Sequence, residues 1–141
     1  MDEVTISIHS LQRDGHGDDE RMQLVTKGTY EECDDLRILR YDETELTGME
    51  GTRTTIELRP DAVALIRTGT VLMRQEFRPG RTDGMTYRTS YGDLRLQMHT
   101  YEINDQLRDG NGTLRLRYDV SVTGMDTRYH ELTIHLRKDT H

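Results

Sequence analysis

The sequence predicts an all-β fold, a single antiparallel meander of about ten strands closed into a barrel, with residues 1–141 forming one domain. Three observations predict it. Apolar residues recur with a period of two. Gly, Pro, Asp and Asn cluster between the alternating runs, at the spacing of roughly 8–12 residues that sandwiches and barrels use. Only "INDQLRDG" (103–110) has the character of a helical turn.

Along the chain, "EVTISIHS" (3–10) places Val4, Ile6 and Ile8 on one face of an extended strand, since successive side chains alternate sides. "RDGHGDD" (13–19) supplies the first reversal. "YDETELTGMEGT" (41–52) packs four carboxylates and two glycines into one stretch. Read as the end of a strand, it sets Tyr41, Glu43 and Glu45 on one face and Asp42 and Thr44 on the other. Gly48 and Gly51 then permit the turn, and alternation resumes through Thr52, Thr54, Ile56 and Leu58.

"RPDA" (59–62) and "RTGT" (67–70) mark two more turns. "TVLMRQEF" (70–77) sets Val71, Met73 and Phe77 against Arg74 and Glu76. After "RPGRTDG" (78–84), "MTYRTSYG" (85–92) puts Met85, Tyr87, Thr89 and Tyr91 on a shared face, and "DLRLQMHTYEI" (93–103) turns Leu94, Leu96 and Met98 inward. "RDGNGT" (108–113) offers Asn111-Gly112 as a two-residue hairpin turn, which also accounts for its match to a glycosylation sequon. The clearest strand is "TLRLRYDVSVT" (113–123). Leu114, Leu116, Tyr118, Val120 and Val122 fall on one face and Arg115, Arg117, Asp119 and Ser121 on the other, where a helix would scatter them. "TGMD" (123–126) is the last turn, and "LTIHLR" (132–137) the last strand, with Leu132, Ile134 and Leu136 inward. Closing such a meander removes its exposed edges.

Charge narrows the function. The net charge is −7, with residues 1–52 at −9 (14 Asp/Glu against 5 Lys/Arg), residues 53–95 at +3 (5 against 8) and residues 96–141 at −1 (7 against 6). An acidic chain repels phosphate backbones, so nucleic acid is not an expected partner, although the arginine-rich middle leaves room for a local anion site. No apolar run approaches the roughly 18–20 residues that span a bilayer, and "MDEVTISIHS" lacks the pattern of a secretory signal. Cys33 is the single cysteine and cannot form an intramolecular disulfide. The expected location is the cytoplasm, with no membrane partner.

Candidate chemistry is sparse. Glu43 and Glu45 share a strand face at a spacing that suits acid/base work on a glycoside, but such pairs arise in any acidic strand, and a solvated or salt-bridged pair is the expectation. The histidines show no paired ligand spacing, and one cysteine adds no recognisable metal set. The acidic neighbours of Cys33 disfavour a thiolate. No nucleophile elbow, P-loop or dinucleotide fingerprint appears, so no catalytic residue, metal or cofactor is expected. Inward Tyr41, Gln75, Phe77, Tyr87 and Tyr91, with Met73, Met85 and Thr89, compose either an ordinary barrel core or the wall of a small-ligand pocket, with Glu43 or Arg67 giving a charge at its mouth.

An ordered set of motifs resembles the YwiB-like proteins, small bacterial proteins, themselves uncharacterised, with a calycin-like antiparallel barrel. The set is Thr26-x-Gly28-x-Tyr30, Tyr41-x-Glu43-x-Glu45-Leu46-Thr47-Gly48, Arg67-x-Gly69, Phe77 with Gly80, and Tyr87-x-Thr89-x-Tyr91-Gly92, and the resemblance runs from about Val4 to Lys138. It implies the calycin-like (lipocalin-like) barrel and, by analogy, a lumen that holds small molecules; it implies no catalytic residues. The expected function is therefore a non-catalytic barrel binding a small ligand through Tyr41, Glu43, Arg67, Gln75, Phe77 and Tyr87. The alternatives are an interaction module using the acidic outer surface, including Glu31, Glu32, Asp34 and Asp35, and an enzyme using Glu43 and Glu45.

Overall fold

A computed structural model describes residues 1–122 and 127–139, so the turn expected at 123–126 lies outside the described residues, as does His141. Ten strands follow in order: β1 (Asp2–Arg13), β2 (Asp19–Cys33), β3 (Leu36–Asp42), β4 (Arg53–Leu58), β5 (Val63–Thr68), β6 (Met73–Phe77), β7 (Thr82–Thr89), β8 (Gly92–Asp105), β9 (Gly112–Val122) and β10 (Thr127–Lys138). They make one antiparallel sheet in the order β6-β5-β4-β3-β2-β1-β10-β9-β8-β7. β1 pairs with β10 from Val4 opposite Lys138 to Arg13 opposite Tyr129, so the first and last strands form a long, continuous joint.

The two outer strands of that order, β6 and β7, nearly close the barrel. Leu72 and Arg88 exchange both backbone hydrogen bonds at 2.9 Å, and Gly80 N–H and the Arg81 carbonyl reach Thr100 at 2.8 and 3.0 Å. Along this seam the barrel is held by isolated bonds and side-chain packing rather than by a ladder.

Turn chemistry fixes the register. At the β1–β2 hairpin the Asp14 carboxylate accepts the His16 and Asp18 backbone N–H groups. Between β8 and β9 the reversal falls on Asp109 and Gly110, both at positive φ (55° and 80°), with Arg108 and Asn111 bonded across it. This corrects the expected Asn111-Gly112 turn by two residues: Asp-Gly meets the same left-handed requirement. Segment 103–110 holds no helical turn either. Ile103 to Asp105 finish β8, whose alternation is shifted by a bulge between Thr100 and Glu102. Among the described residues the one short helical element is a 3₁₀ turn at Glu45–Thr47, inside the acidic stretch read as strand and turn.

Inward residues pack one end of the lumen solid. Val4, Ile6, Tyr30, Leu39, Ile56 and Phe77 are among the fully buried side chains there. Leu107, from the β8–β9 connection, corks that end and is buried. Arg37 holds the cork: its guanidinium grips Asp105 at 2.5 and 3.0 Å and donates to the Leu107 carbonyl at 2.9 Å. Tyr30 donates to Glu32 at 2.6 Å, and the same carboxylate accepts the Asp109 N–H at 3.0 Å. Those two bonds hold the Glu32 carboxyl below its ordinary range. Outside, Arg115–Glu131 and Arg117–Glu102 ion pairs cross strands, each worth about 0.2–1 kcal/mol.

Gly28 lies mid-strand in β2 because nothing larger fits. A Cβ there would sit 2.3 Å from the Arg40 carbonyl oxygen and 2.6 Å from the Ile6 side chain. Gly28→Ala is expected to destabilise the fold by about 2–3 kcal/mol through this overpacking. Leu107→Ala is expected to cost about 2–5 kcal/mol by leaving a cavity. Urea unfolding followed by circular dichroism checks both, and a cost below about 0.5 kcal/mol in either would contradict this packing.

Candidate functional site

Above the packed half the lumen opens into a cavity of about 620 Å³. Its position follows from the register. Tyr41 on β3 pairs with Thr54 on β4, Thr54 with Arg67 on β5, and Arg67 with Met73 on β6. These four therefore form one lateral row. On the opposite wall Tyr118 on β9 pairs with His130 on β10, and their rings stack at 5.0 Å with 7° between planes.

The polar group of the cavity centres on Glu43 and Arg67. Glu43 leaves the end of β3, where its backbone N–H binds the Thr52 carbonyl at 2.8 Å. Its side chain folds inward, 2% exposed, and accepts the Thr54 hydroxyl at 2.5 Å. Arg67 Nε lies 3.8 Å from Glu43 Oε1, close enough for an ion pair and too far for a hydrogen bond. That Nε is sealed from solvent and has no acceptor, and among the described residues the Arg67 guanidinium donates no hydrogen bond. Gln75 is committed elsewhere, its amide donating to Met98 sulfur at 3.3 Å.

Burial sets the protonation of the neighbours. Tyr41 is pushed well above an ordinary phenol, first by desolvation and then by the Glu43 charge, with Arg67 opposing. Desolvation pushes Tyr118 up to about 12, again opposed by Arg67. Both are hydroxyl donors at neutral pH. Burial lowers His130 to about 4, and the Arg128 charge adds to the effect, so the imidazole is neutral.

Of the residues expected to form the site, Tyr41, Glu43, Arg67, Gln75 and Tyr87 all line this cavity. Phe77 does not. It is fully buried beneath, its ring edge-on to Tyr118 at 4.8 Å, and it supports the floor instead of touching the space. Glu45 lies on the exposed 3₁₀ turn, away from buried Glu43, so no carboxylate pair forms. Tyr91 is 99% exposed in the β7–β8 turn and Leu94 is 50% exposed. This hairpin runs past the barrel rim, and its outer rungs have nothing to pack against. Among the described residues no group of three or more His, Cys, Asp or Glu is placed to hold a metal ion.

Sequence reasoning missed Tyr118 and His130 as site residues, and the methionines Met22 and Met49. His130 had an available signal, since alternation continued back from Leu132 puts it on the inward face. Met49 had none: it reaches the mouth from the loop after the 3₁₀ turn.

Residues 6–134 match the family described as Domain of unknown function (DUF1934). A relative from Bacillus subtilis (strain 168), the Uncharacterized beta-barrel protein YwiB, is 28% identical over 138 residues, covering 98% of this chain and 95% of that protein. The crystal structure of ywiB protein from Bacillus subtilis superposes with a TM-score of 0.88 at 26% identity, covering 99% of this chain and 93% of that one.

The neutral His130 gives a pH signature. Its folded value, about 4, lies below the ordinary 6.5, so from pH 6.5 down to about 4 the unfolded chain takes up a proton that the barrel refuses. Above that window the residue contributes nothing; within it stability falls with pH, by up to about 3 kcal/mol in total. His130→Phe, which keeps the ring stacked on Tyr118, is expected to remove that part of the acid loss. Parallel urea titrations of the two proteins from pH 7 to pH 4 measure it, and coincident pH profiles would refute it.

Proposed function

The chain belongs to the DUF1934 family of β-barrel proteins, and within that fold we propose that it binds a small molecule in the open half of its lumen. One observation carries the reading. The cavity of about 620 Å³ joins an apolar wall to a few convergent polar groups at one level, Arg67, Glu43, Tyr41, Tyr118 and His130. Ligand sites in proteins have this size and this division of labour, with apolar area for affinity and sparse polar groups for orientation.

The other half of the lumen is filled by fully buried side chains such as Leu39, Ile56 and Phe77, so the opening is not a general failure of these side chains to fill a lumen. The polar groups also argue for use. A buried ion pair held apart at 3.8 Å is a poor structural element, since two desolvated charges need close contact and further hydrogen bonds to repay burial. As a recognition element for a third group it makes sense.

The reading as an interaction module has less behind it. The acidic residues Glu31 and Glu32 are spent within the molecule, Glu31 paired with Arg40 at 3.2 Å and Glu32 bonded to Tyr30.

The test is twofold. Native mass spectrometry of protein purified without denaturation is expected to show a retained small molecule. Nile red fluorescence is expected to rise on binding the wild type and to be lost, by about tenfold or more in affinity, in Val120→Trp, which puts an indole ring into the cavity from its wall. Equal dye binding by a folded Val120→Trp, with no retained mass, would defeat the reading.

A further inference from the structure

We infer that the lumen takes an amphipathic molecule whose carboxylate head binds the Arg67 guanidinium and whose flexible hydrocarbon tail lies along the methionine-lined mouth. The inference rests on the lumenal reading above and names the class of ligand.

Arg67 is the starting point. A guanidinium offers five N–H donors in a fixed fork, and taking it out of water requires acceptors. None is supplied among the described residues. Glu43, its one ionic neighbour, stands 3.8 Å from the buried Nε and turns the same oxygen to the Thr54 hydroxyl at 2.5 Å. The buried Nε is therefore balanced in charge only loosely and by no hydrogen bond, while the terminal nitrogens of the fork are left open to water or to a ligand. The side chain is 21% exposed, and it faces the cavity. Whatever occupies the cavity beside it must present acceptor oxygens, and a carboxylate does so with two, matching the fork.

The surroundings decide which anion. Glu43 already offsets part of the Arg67 charge, and Glu20 and Glu131 outnumber Arg21 on the rest of the lining, so a dianion such as a phosphate monoester would leave excess negative charge there. Tyr41 and Tyr118, the hydroxyls on either side, are kept in their neutral, donating form by burial. Beside Arg67 a cationic head has no matching opening, because the Glu43 carboxylate is 2% exposed and already accepts a hydrogen bond; of the other carboxylates on the lining, Glu131 is paired with Arg115 and Glu20 is exposed to solvent.

The rest of the cavity describes the tail. Of the seven methionines in the chain, Met22, Met49, Met73 and Met85 line it. Unbranched thioether side chains adjust to a partner without imposing a shape, which suits a flexible chain better than a rigid ring system. Recognition is then specific at the head and permissive along the tail.

Calorimetric titration at pH 7 with decanoate, 1-decanol, decyl phosphate and decyltrimethylammonium separates the possibilities. Decanoate is expected to bind most tightly, by about tenfold or more over the alcohol, the gain typical of a charge-assisted hydrogen-bonded pair. In Arg67→Met that preference is expected to vanish while 1-decanol binding changes by less than about threefold. Glu43→Gln, which keeps an oxygen for Thr54 and removes the competing charge, is expected to tighten decanoate by about threefold or more. The Glu43→Gln measurement stands even where Arg67→Met fails to fold. Equal binding of acid and alcohol, an acid preference that survives Arg67→Met, an unchanged decanoate affinity in Glu43→Gln, or tighter binding of decyl phosphate would each overturn the head assignment while leaving a lumenal ligand in place. Failure of all four probes, beside a positive Nile red result, would overturn this inference alone.

Discussion

A closed antiparallel sheet obliges every second side chain to enter the same enclosed space, and the volume of that space is set by the number of strands rather than by what the side chains can fill. About eight strands give an interior that side chains just occupy. Ten strands in this chain enclose more. The excess has to go somewhere, and the molecule concentrates it at one end. Large side chains and the Leu107 cork consume the lower lumen, while above Tyr41, Arg67 and Tyr118 the same alternation meets across an open cavity.

The two ends are built on different chemistry. At the corked end polar groups interlock: Arg37 with Asp105 and the Leu107 carbonyl, Glu32 with Tyr30 and Asp109. Such an interlinked network favours one arrangement of the cork. At the open end the match is incomplete, with Arg67 Nε buried and unpartnered beside Glu43. Asp83 Oδ2 and Thr100 Oγ1 are also buried without a partner, and neither residue lines the cavity. Of these three atoms among the described residues, Arg67 Nε is the one that belongs to the cavity wall.

Much of this was legible in the chain itself. Period-two runs such as Leu114 to Val122 leave little choice of element, and the Gly- and Asp-rich reversals order the strands. Five of the six expected site residues meet at one cavity because a barrel gathers all its inward positions, so identifying the inward face was nearly enough. The failures have physical causes. Phe77 has the right face but lies at the wrong height, and height in a barrel depends on strand stagger, which alternation does not encode. Leu94 and Tyr91 obey the alternation where the hairpin has left the barrel behind. The Asn-Gly and Asp-Gly pairs at 109–112 satisfy the same turn, and only the cross-strand pairing selects between them. Glu43 enters the lumen because the strand ends just before it and a 3₁₀ turn redirects the chain, a local event with no periodic signature.

The joint between β1 and β10 also shapes how this barrel is assembled. One of its long lateral joints links residues more than a hundred positions apart, whereas its weak seam falls mid-chain, between β6 and β7. Strands β1 to β6 can zip together as they are synthesised, but they form a curved sheet with β1 bare along one side until β10 has been made. Loop closure on that scale slows folding, and a bare strand is a template for a neighbouring chain. The open cylinder thus exists for a time as an unguarded half-shell, and its greatest exposure to misassembly comes on the ribosome rather than in the finished molecule.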